Sequence, residues 1–345
     1  MSPLKYPLAI LNRYLRIVPA FFVTILIFYS IFPHLGSGPK WPGVEAAVKP
    51  CDKMWRELLF ISNLVGDMNG SCLGWSWYLQ NDMQLFIYSL FLLLIYSKNK
   101  FAGYMSIVLS SLFSFYFVMV TSYNQSFHNM NHLSDGATNA IYMNQIYIKP
   151  WGRAPPYLYG LLLGILYTTF LQEEKNEESE YMLVKLKKKV IESRVIRVTI
   201  EMTGVLLGCF LIFIQRTNQN YMYWPQYVHS LYLTYAKTLF VIAISLIVLP
   251  SLLGADSMVR FIMDTKFFNF VAKVSYCTYL VHAIFIFQWL IQYKVDLYYD
   301  IASSYDVFIS QSVMSIIGGF LLALLVEIPC SKLQKQLMTS LMKKS

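Results

Sequence analysis

Long apolar runs alternate along this sequence with shorter polar and charged segments. A helix needs about 20 mostly apolar residues to cross the hydrocarbon core of a bilayer. Eight runs come close to that length and are predicted to be membrane spans: 17–32, 77–97, 101–121, 156–171, 198–214, 233–252, 267–291 and 307–328. The predicted fold is an all-α polytopic membrane bundle with about eight transmembrane helices.

The second span opens with polar residues, in the segment WSWYLQNDMQ. If Asp82 only capped the helix, the span would cover 83–97 and reach ~22 Å at ~1.5 Å per residue, whereas a bilayer core needs ~30 Å. The helix is therefore predicted to start near Trp77. That start places Asn81, Asp82 and Gln84 inside the hydrocarbon boundary, where polar groups indicate function. The alternative is an interrupted helix in which Asn81 and Asp82 are caps at a wet surface.

The basic residues set the predicted orientation. They are concentrated before the first span, in the connector 172–197 and in the tail 336–345, and Lys and Arg favour the cytosolic side of a membrane. Eight spans then place both termini in the cytosol. The loop 33–74 is predicted to be lumenal or extracellular, and residues 1–335 to form one transmembrane domain in the endoplasmic reticulum or the plasma membrane.

The composition argues against two classes of protein. Apolar residues make up 56% of the chain and charged residues 14%, which is outside the usual range of a soluble domain. The formal net charge of +9 lies in short blocks beside apolar runs, where membrane orientation and lipid headgroups explain it better than nucleic acid does. Membrane lipids are expected partners, and nucleic acid is not.

Two of the five cysteines share the loop 33–74. A disulfide between Cys51 and Cys72 would close a loop of about 20 residues and contribute ~3 kcal/mol, and it requires an oxidising compartment. The triplets NGS and NQS at Asn69 and Asn124 are predicted glycosylation sites on the same side of the membrane. All four positions agree with the predicted orientation.

Helical spacing predicts a polar face on the seventh span. In VSYCTYLVH, the residues Ser275, Tyr279 and His282 follow one another by four and three positions, so they share one face. A neutral imidazole inside a bundle can act as general base toward a hydroxyl group. His282 is therefore a catalytic candidate and Tyr279 a binding candidate. The alternative is a structural histidine bonded to Tyr279 or to a neighbouring helix.

Charged residues near the span ends are further candidates. Arg13 and Arg16 could meet the phosphates of a cytosolic substrate, and Arg153 heads the fourth span, where it could bind an anion. Membrane anchoring alone also accounts for these arginines. Glu327 lies near the cytosolic boundary and is predicted to pair with a lysine that follows it. No HExxH or CxxC motif is present, so no metal is expected.

Glycines at four-residue spacing predict close helix packing. Gly160 with Gly164, and Gly204 with Gly208, are small residues of the kind that lets two helix backbones approach within a membrane. All four are assigned to packing rather than to chemistry.

Five motifs resemble those of a known family. They are NRYLRIVP (12–19), CLGWSWYLQNDMQ (72–84), KPWGRAPPYLYGLLLG (149–164), VSYCTYLVH (274–282) and VEIP (326–329). In this order they resemble the nose-resistant-to-fluoxetine-like branch of the membrane acyltransferase 3 family. The resemblance covers nearly the whole chain.

The resemblance implies a membrane bundle that moves an acyl group. The donor is expected to be a cytosolic thioester such as acyl-CoA, with no bound cofactor, and the acceptor a hydroxyl group of a lipid, a sugar or another molecule. The branch is also associated with the movement of lipids and drugs in epithelia. A lipid or xenobiotic carrier without catalysis is therefore the alternative function, and an inactive scaffold is a third.

One part of the family pattern is absent from this sequence. Family members carry two further spans before the YLR segment, with an LDGLRA-like motif and a histidine regarded as catalytic. The sequence is thus expected to come from a longer protein, and without that base it is expected to lose a factor of ~10²–10⁴ in rate. In the intact enzyme Asp82 or Asn81 would orient the acceptor or the base, and His282 would support the hydrogen-bond network. Gln84 and Glu327 complete the set of binding candidates.

Overall fold

The computed structural model describes residues 5–66, 70–128, 136–174, 181–220, 224–292 and 300–344. These residues form helices and no strand. The α-helices are, in chain order, α1 (Lys5–Leu26), α2 (Pro42–Val48), α3 (Trp55–Leu58), α4 (Ser62–Val65), α5 (Trp77–Lys98), α6 (Lys100–Asn124), α7 (Gly136–Tyr142), α8 (Ala154–Glu173), α9 (Met182–Glu192), α10 (Arg194–Asn220), α11 (Gln226–Leu252), α12 (Met258–Met263), α13 (Lys266–Ile291), α14 (Ile301–Leu322) and α15 (Ile328–Lys344). Short π-helical segments are Ile27–Ile31, Met143–Tyr147 and Ala323–Glu327.

Within these described ranges, eight helices are long and apolar enough to cross a membrane. They run over Tyr6–His34, Gly74–Lys98, Lys100–Asn124, Ala154–Glu173, Arg194–Gln215, Gln226–Leu252, Lys266–Ile291 and Ile301–Leu341. Each overlaps one predicted span, so the prediction of an all-α polytopic bundle is confirmed. The protein is an integral membrane protein.

Several predicted spans are shorter than the helices that contain them. The first helix begins at Lys5 rather than at residue 17, and α14 begins at Ile301 and continues through Ala323–Glu327 into α15. The basic tail is consequently helical as far as Lys344. Hydropathy marks only the part of a helix that faces hydrocarbon, whereas backbone hydrogen bonding carries the helix on into polar residues.

Helix α5 begins at Trp77, as its required length predicted. A short 3₁₀ turn, Gly74–Ser76, precedes it. The helix then continues without interruption to Lys98, so the alternative of a half-helix capped by Asn81 and Asp82 is wrong. Gln80 and Asn81 are buried in its first turns.

The chain folds into two compact units. Unit 1 comprises Met1–Met83 and Lys266–Ser345, and unit 2 comprises Gln84–Thr265. In unit 1, α13 packs along α14, and α1 contacts both α13 and α15. The side-chain amide of Gln334 on α15 donates to the backbone and side-chain oxygens of Asn12 on α1, at 2.8 and 2.6 Å. The N-terminal and C-terminal helices of unit 1 therefore meet directly.

Two adjacent glycines allow α13 and α14 to approach each other closely. A Cβ atom on Gly319 would lie 2.5 Å from the backbone nitrogen of Thr278, and one on Gly318 would lie 2.5 Å from the ring of Phe285. Any larger residue at these positions would push the two helices apart. This contact was not among the glycine pairs predicted from four-residue spacing.

Unit 2 is built mainly on α6, α8, α10 and α11. Gly204 lies against α11, where a Cβ would come within 2.6 Å of the backbone oxygen of Ala243, and Gly208 makes ordinary contacts one turn on. The predicted packing role of this pair is confirmed. By contrast, no atom of another helix in the described part of the chain lies within 4 Å of a Cβ placed on Gly160 or Gly164. The predicted close packing there is wrong, because this face of α8 is open.

The connector 172–197 belongs to unit 2, and its helix α9 packs against the rest of that unit. Val184 and Val190 of α9 are buried in a cluster with Phe170, and Lys187 forms an ion pair with Glu174. The connector is thus held by apolar contacts as well as by charge.

Within the loop 33–74, a disulfide joins Cys51 to Cys72, with the two Cα atoms 4.4 Å apart. The predicted pairing is confirmed. Asn124 is exposed at the end of α6, whereas Asn69 lies outside the described residues. Glycosylation of both stays a prediction.

Candidate functional site

A cavity of about 670 Å³ lies between α13 and α14 in unit 1. None of the side chains that line it is Lys, Arg, Asp or Glu. Most of its wall is apolar, and its polar lining residues are Ser275, Thr278, Tyr279, His282, Gln311, Ser312 and Ser315. Ligand sites usually have volumes of ~300–1,000 Å³ and combine an apolar wall with a few polar groups. The cavity meets both criteria and is the principal candidate site.

His282 lines this cavity from the middle of α13. Its Nδ1 atom lies 2.6 Å from the backbone oxygen of Tyr279. A carbonyl oxygen can only accept a hydrogen bond, so Nδ1 carries the proton and Nε2 keeps a lone pair. The imidazole is thereby fixed in the tautomer that can accept a proton at Nε2. Ser275, Tyr279 and His282 all line the cavity, so the predicted polar face of α13 is confirmed.

Two reciprocal hydrogen bonds join α13 to the turn that precedes α5. The Tyr279 hydroxyl donates to the backbone oxygen of Trp75, and the Trp75 indole donates to the backbone oxygen of Leu280 at 3.0 Å. The indole also packs against Phe28 and Phe287, with ring centroids 5.5 and 5.7 Å apart. Trp75 therefore fixes the segment of α13 that carries His282.

Asp82 on α5 forms an ion pair with Arg13 on α1, with Oδ2 and Nη2 2.5 Å apart. The two side chains are only 26% and 31% exposed. The pair explains how a carboxylate is tolerated within a membrane span. It also changes the roles of both candidates, because the Arg13 guanidinium faces Asp82 and the Asp82 carboxylate is neutralised.

Asn63, in the loop 33–74, holds Asn81 and Gln80 in place. The Asn63 side chain donates to Oδ1 of Asn81 at 2.9 Å, and the Asn63 backbone N–H donates to Oε1 of Gln80 at 2.7 Å. All three residues are buried. The polar start of α5 is thus satisfied by protein partners rather than by water.

Glu57 is a buried carboxylate that the sequence did not single out. It is 1% exposed and accepts four hydrogen bonds: from Ser71 Oγ at 2.6 Å, Cys72 N at 3.0 Å, Ser76 Oγ at 2.7 Å and Gln80 Nε2 at 2.5 Å. These bonds tie the disulfide loop to the start of α5. The only signal in the sequence is a run of small polar residues around Cys72, which is too common to identify a partner.

Glu327 has a different partner from the one predicted. The thiol of Cys277, which is fully buried on α13, donates to Oε2 of Glu327 at 3.0 Å. The expected lysines, Lys332 and Lys335, lie five and eight positions further on, outside the three- and four-residue spacings that bring helical neighbours together. The neighbouring Tyr276 donates to the backbone oxygen of Ile17 at 2.7 Å.

The remaining candidate binding residues, Arg16, Arg153 and Gln84, do not line the cavity between α13 and α14. Arg16 is exposed on α1. Arg153 and Gln84 belong to unit 2, where Arg153 lies over the Tyr147 ring at 4.6 Å and its Nε donates to the Tyr147 backbone oxygen at 3.3 Å. Burial raises the pKa of nearby Tyr142 to about 12, an effect that the charge of Arg153 partly offsets.

The described residues hold no group of three or more His, Cys, Asp or Glu side chains placed to bind a metal ion. The arrangement in unit 1 instead provides a proton acceptor in the wall of an uncharged cavity. Such a site can remove a proton from a neutral group, such as a hydroxyl.

The chain is similar to known proteins over most of its length. An acyltransferase domain family matches residues 1–332 of the chain. Among curated proteins the chain is similar to "Nose resistant to fluoxetine protein 6" of Caenorhabditis elegans, with 24% identity over 296 residues. That match covers 81% of this chain and 33% of the relative, so the chain spans about one third of the relative's length. No solved structure matches.

The family match extends over every motif on which the resemblance rests. It includes the Arg13 and Asp82 pair and the whole of the cavity between α13 and α14. A family match over residues 1–332 is sufficient to assign the chain to that family. The chain belongs to the acyltransferase 3 family.

Proposed function

We propose that unit 1 transfers an acyl group from a thioester donor of the acyl-CoA type to a hydroxyl group of a lipid or other acceptor. One observation carries the proposal: His282 presents an accepting Nε2 in the wall of an uncharged cavity of 670 Å³. An acyl chain is apolar and uncharged, so transfer from water into such a cavity is favourable. Membership in the acyltransferase 3 family supports the reaction class.

In the proposed reaction, the hydroxyl oxygen of the acceptor attacks the carbonyl carbon of the thioester. The hydroxyl proton moves to Nε2 of His282 and the carbon–sulfur bond breaks. The leaving thiolate then takes that proton, so the products are an ester and a free thiol, and the imidazole is neutral again. The hydrogen bond from Nδ1 to Tyr279 stabilises the positive charge that His282 carries between these steps.

Other candidates take supporting roles in this proposal. Arg13 and Asp82 are positioning residues, because their ion pair joins α1 to the start of α5. Asn81 holds the same region through Asn63. Arg16, which is exposed on α1, is the proposed contact for the phosphates of the donor.

The test is acyl transfer by the purified chain in lipid nanodiscs, supplied with labelled acyl-CoA and lipids that carry hydroxyl groups. His282→Ala should lower the rate by a factor of ~10²–10⁴ while the folded protein is retained. His34→Ala is the matched control, because His34 is an exposed histidine of the same unit. Binding of the donor without turnover would argue against His282 as the base. Absence of binding would overturn the proposal.

A carrier for lipids or xenobiotics is the second candidate function. The observation that favours it is the uncharged wall of the cavity, which suits an apolar molecule whether or not it reacts. Uptake of a labelled lipid that persists in the His282→Ala variant, in the absence of acyl transfer by the wild-type protein, would support the carrier.

The proposed donor is cytosolic, and we retain the predicted orientation with both termini in the cytosol. Mobility shifts after deglycosylation, measured for Asn69→Gln and Asn124→Gln, would test it. A glycan at either position would place the disulfide loop in the lumen or outside the cell.

A further inference from the structure

Part of the loop 33–74 lies alongside α1, and its contacts there show which level of the helix it reaches. The helix over Tyr6–His34 is long and apolar enough to cross a membrane, and the middle of this range lies one residue before Phe21. The ring of Phe60 packs against the rings of Phe21 and Tyr14, with centroids 6.0 Å apart in each pair. Phe60 therefore lies level with the middle of a membrane span.

The chain reaches this level from one end of the spanning helix and returns to the same end. On the way in, the Tyr29 hydroxyl donates to Oδ1 of Asp52 at 3.0 Å. On the way out, the Trp75 ring packs against Phe28, with centroids 5.5 Å apart. Phe21 lies eight positions before Tyr29, which is ~12 Å of helix at ~1.5 Å per residue. The chain thus turns back within the length of the span.

The two faces of the segment 55–65 have the opposite polarity to that of a loop in water. Three polar side chains are buried against the rest of unit 1: Glu57, Ser62 and Asn63. They bond to Ser76 and Gln80, beside the start of α5. Four large apolar side chains are 46% to 57% exposed and are called the apolar face: Trp55, Leu59, Leu64 and Val65. Polar groups turned inward and apolar groups turned outward are favourable in hydrocarbon and unfavourable in water.

Arg56 is compatible with this position. Its Cζ atom lies over the Trp55 ring, 5.6 Å from the centroid, where the aromatic face stabilises the positive charge. Arg56 precedes Phe60 by four positions, and a long basic side chain near a membrane surface can extend toward the lipid phosphates. Trp and Arg side chains together are common at that boundary.

We infer that the segment 55–65 is re-entrant, and that acyl chains of bilayer lipids cover its apolar face. The partner is hydrocarbon rather than a lipid headgroup, because the apolar face carries no hydrogen-bonding group except the Trp55 indole. The loop 33–74 is then only partly in water. This inference does not depend on the proposed acyl transfer, since it concerns a different part of unit 1 from the cavity.

The test is photo-crosslinking of the wild-type chain in lipid nanodiscs. One phosphatidylcholine probe carries a diazirine in its acyl chain and another carries it in the headgroup, and peptide mass spectrometry locates the adducts. The acyl-chain probe should label the segment 55–65. It should not label α2, because Trp41, just before α2, bonds to the Pro33 backbone oxygen near the end of the spanning helix. Helix α2 is thus the internal control.

Two lysine substitutions provide a second measurement. Leu59→Lys and Val65→Lys each put a charge on the apolar face, which is costly in hydrocarbon and tolerated in water. Each should therefore lower the yield of folded protein several-fold. Ala46→Lys, at an exposed position of α2, is the matched control and should leave the yield unchanged.

Two results would overturn the inference. One is the absence of acyl-chain adducts on the segment 55–65, and the other is full tolerance of both lysines. Absence of adducts in a particle of the size of a dimer would identify a second copy of the chain as the cover of the apolar face. None of these results affects the proposed acyl transfer, which turnover of acyl-CoA tests separately.

Discussion

The hydroxyl group of Tyr279 donates a hydrogen bond to the backbone carbonyl of Trp75, and this bond joins α13 to the turn before α5. The backbone carbonyl of Tyr279 in turn accepts the proton of Nδ1 in His282. One residue thus both attaches α13 to its neighbour and fixes the tautomer of the candidate base.

Removal of the Tyr279 hydroxyl should therefore affect stability and acyl transfer together. Tyr279→Phe leaves the Trp75 carbonyl without this donor, which should cost ~1–3 kcal/mol in the free energy of unfolding. We expect kcat to fall more than KM rises, because His282 is less well held. Denaturant unfolding and steady-state kinetics measure the two effects. Tyr305→Phe, at an exposed position of α14, is the control, and an unchanged stability of Tyr279→Phe would contradict the prediction.

The Arg13 and Asp82 pair should show strong coupling between its two members. Arg13→Gln or Asp82→Asn alone leaves one charge without its partner near the hydrocarbon boundary, which should lower the yield of folded protein. The double variant and the charge-reversed pair, Arg13→Asp with Asp82→Arg, should recover much of that yield. A double-mutant cycle on thermal stability measures the coupling. Additive losses would show that the two charges act independently.

Glu57→Gln should destabilise unit 1 strongly. The carboxylate accepts four hydrogen bonds while buried, whereas the amide of Gln directs two N–H donors at groups that are themselves donors. We expect a loss of ~3 kcal/mol or more in the free energy of unfolding. Glu45→Gln is the matched control, since Glu45 is an exposed residue of the same loop. Equal stability of the two variants would argue against a structural role for Glu57.

Lys237→Met should stabilise unit 2. The Nζ atom of Lys237 on α11 is inaccessible and has no hydrogen-bond partner among the described residues, and Arg153 adds charge repulsion. Met has a similar length without the polar group, so the melting temperature should rise, by the equivalent of ~1–3 kcal/mol. Lys188→Met, on an exposed face of α9, should have little effect. A lower melting temperature for Lys237→Met would show that the amine has a partner in the native protein.

Unit 2 should lose stability at alkaline pH, in part through Tyr142. Burial raises its pKa to about 12 from the ordinary value of 10.0, so the folded protein holds this proton more tightly than the unfolded chain. The stabilisation is complete below about pH 10 and is lost as the pH rises toward about 12. Tyr142→Phe should therefore lose less stability than the wild-type protein between about pH 9 and about pH 11.

Thermal unfolding at the two pH values provides the measurement for Tyr142. Tyr123→Phe is the control, because Tyr123 is exposed at the end of α6. A wild-type protein and a Tyr142→Phe variant with the same pH dependence would show that this hydroxyl does not contribute to alkaline unfolding.

The sequence predicted those features that depend on local composition. Length and hydropathy located the eight spans, and the length requirement of a bilayer moved the start of α5 back to Trp77. The Cys51 and Cys72 pair was predictable because both cysteines share one polar loop. These inferences use only neighbours in the chain.

Contacts between distant segments were not predictable in the same way. Glu327 meets Cys277 rather than a nearby lysine, and the close approach of α13 and α14 occurs at Gly319 rather than at Gly160 or Gly164. The sequence did not predict the burial of Glu57, because a glutamate in a polar loop is expected to be solvent-exposed. Its four hydrogen-bond donors become evident only in the structure. Which helix faces which is decided by packing in three dimensions, and the pattern of a single sequence does not encode it directly.

The Cys51–Cys72 bridge makes the stability of unit 1 depend on redox conditions. The N–H of Cys72 binds Glu57, and Glu57 binds the side chain of Gln80 at the start of α5. The bridge limits how far this part of the loop can move from those partners. A reducing agent that cleaves it should therefore lower the melting temperature of unit 1.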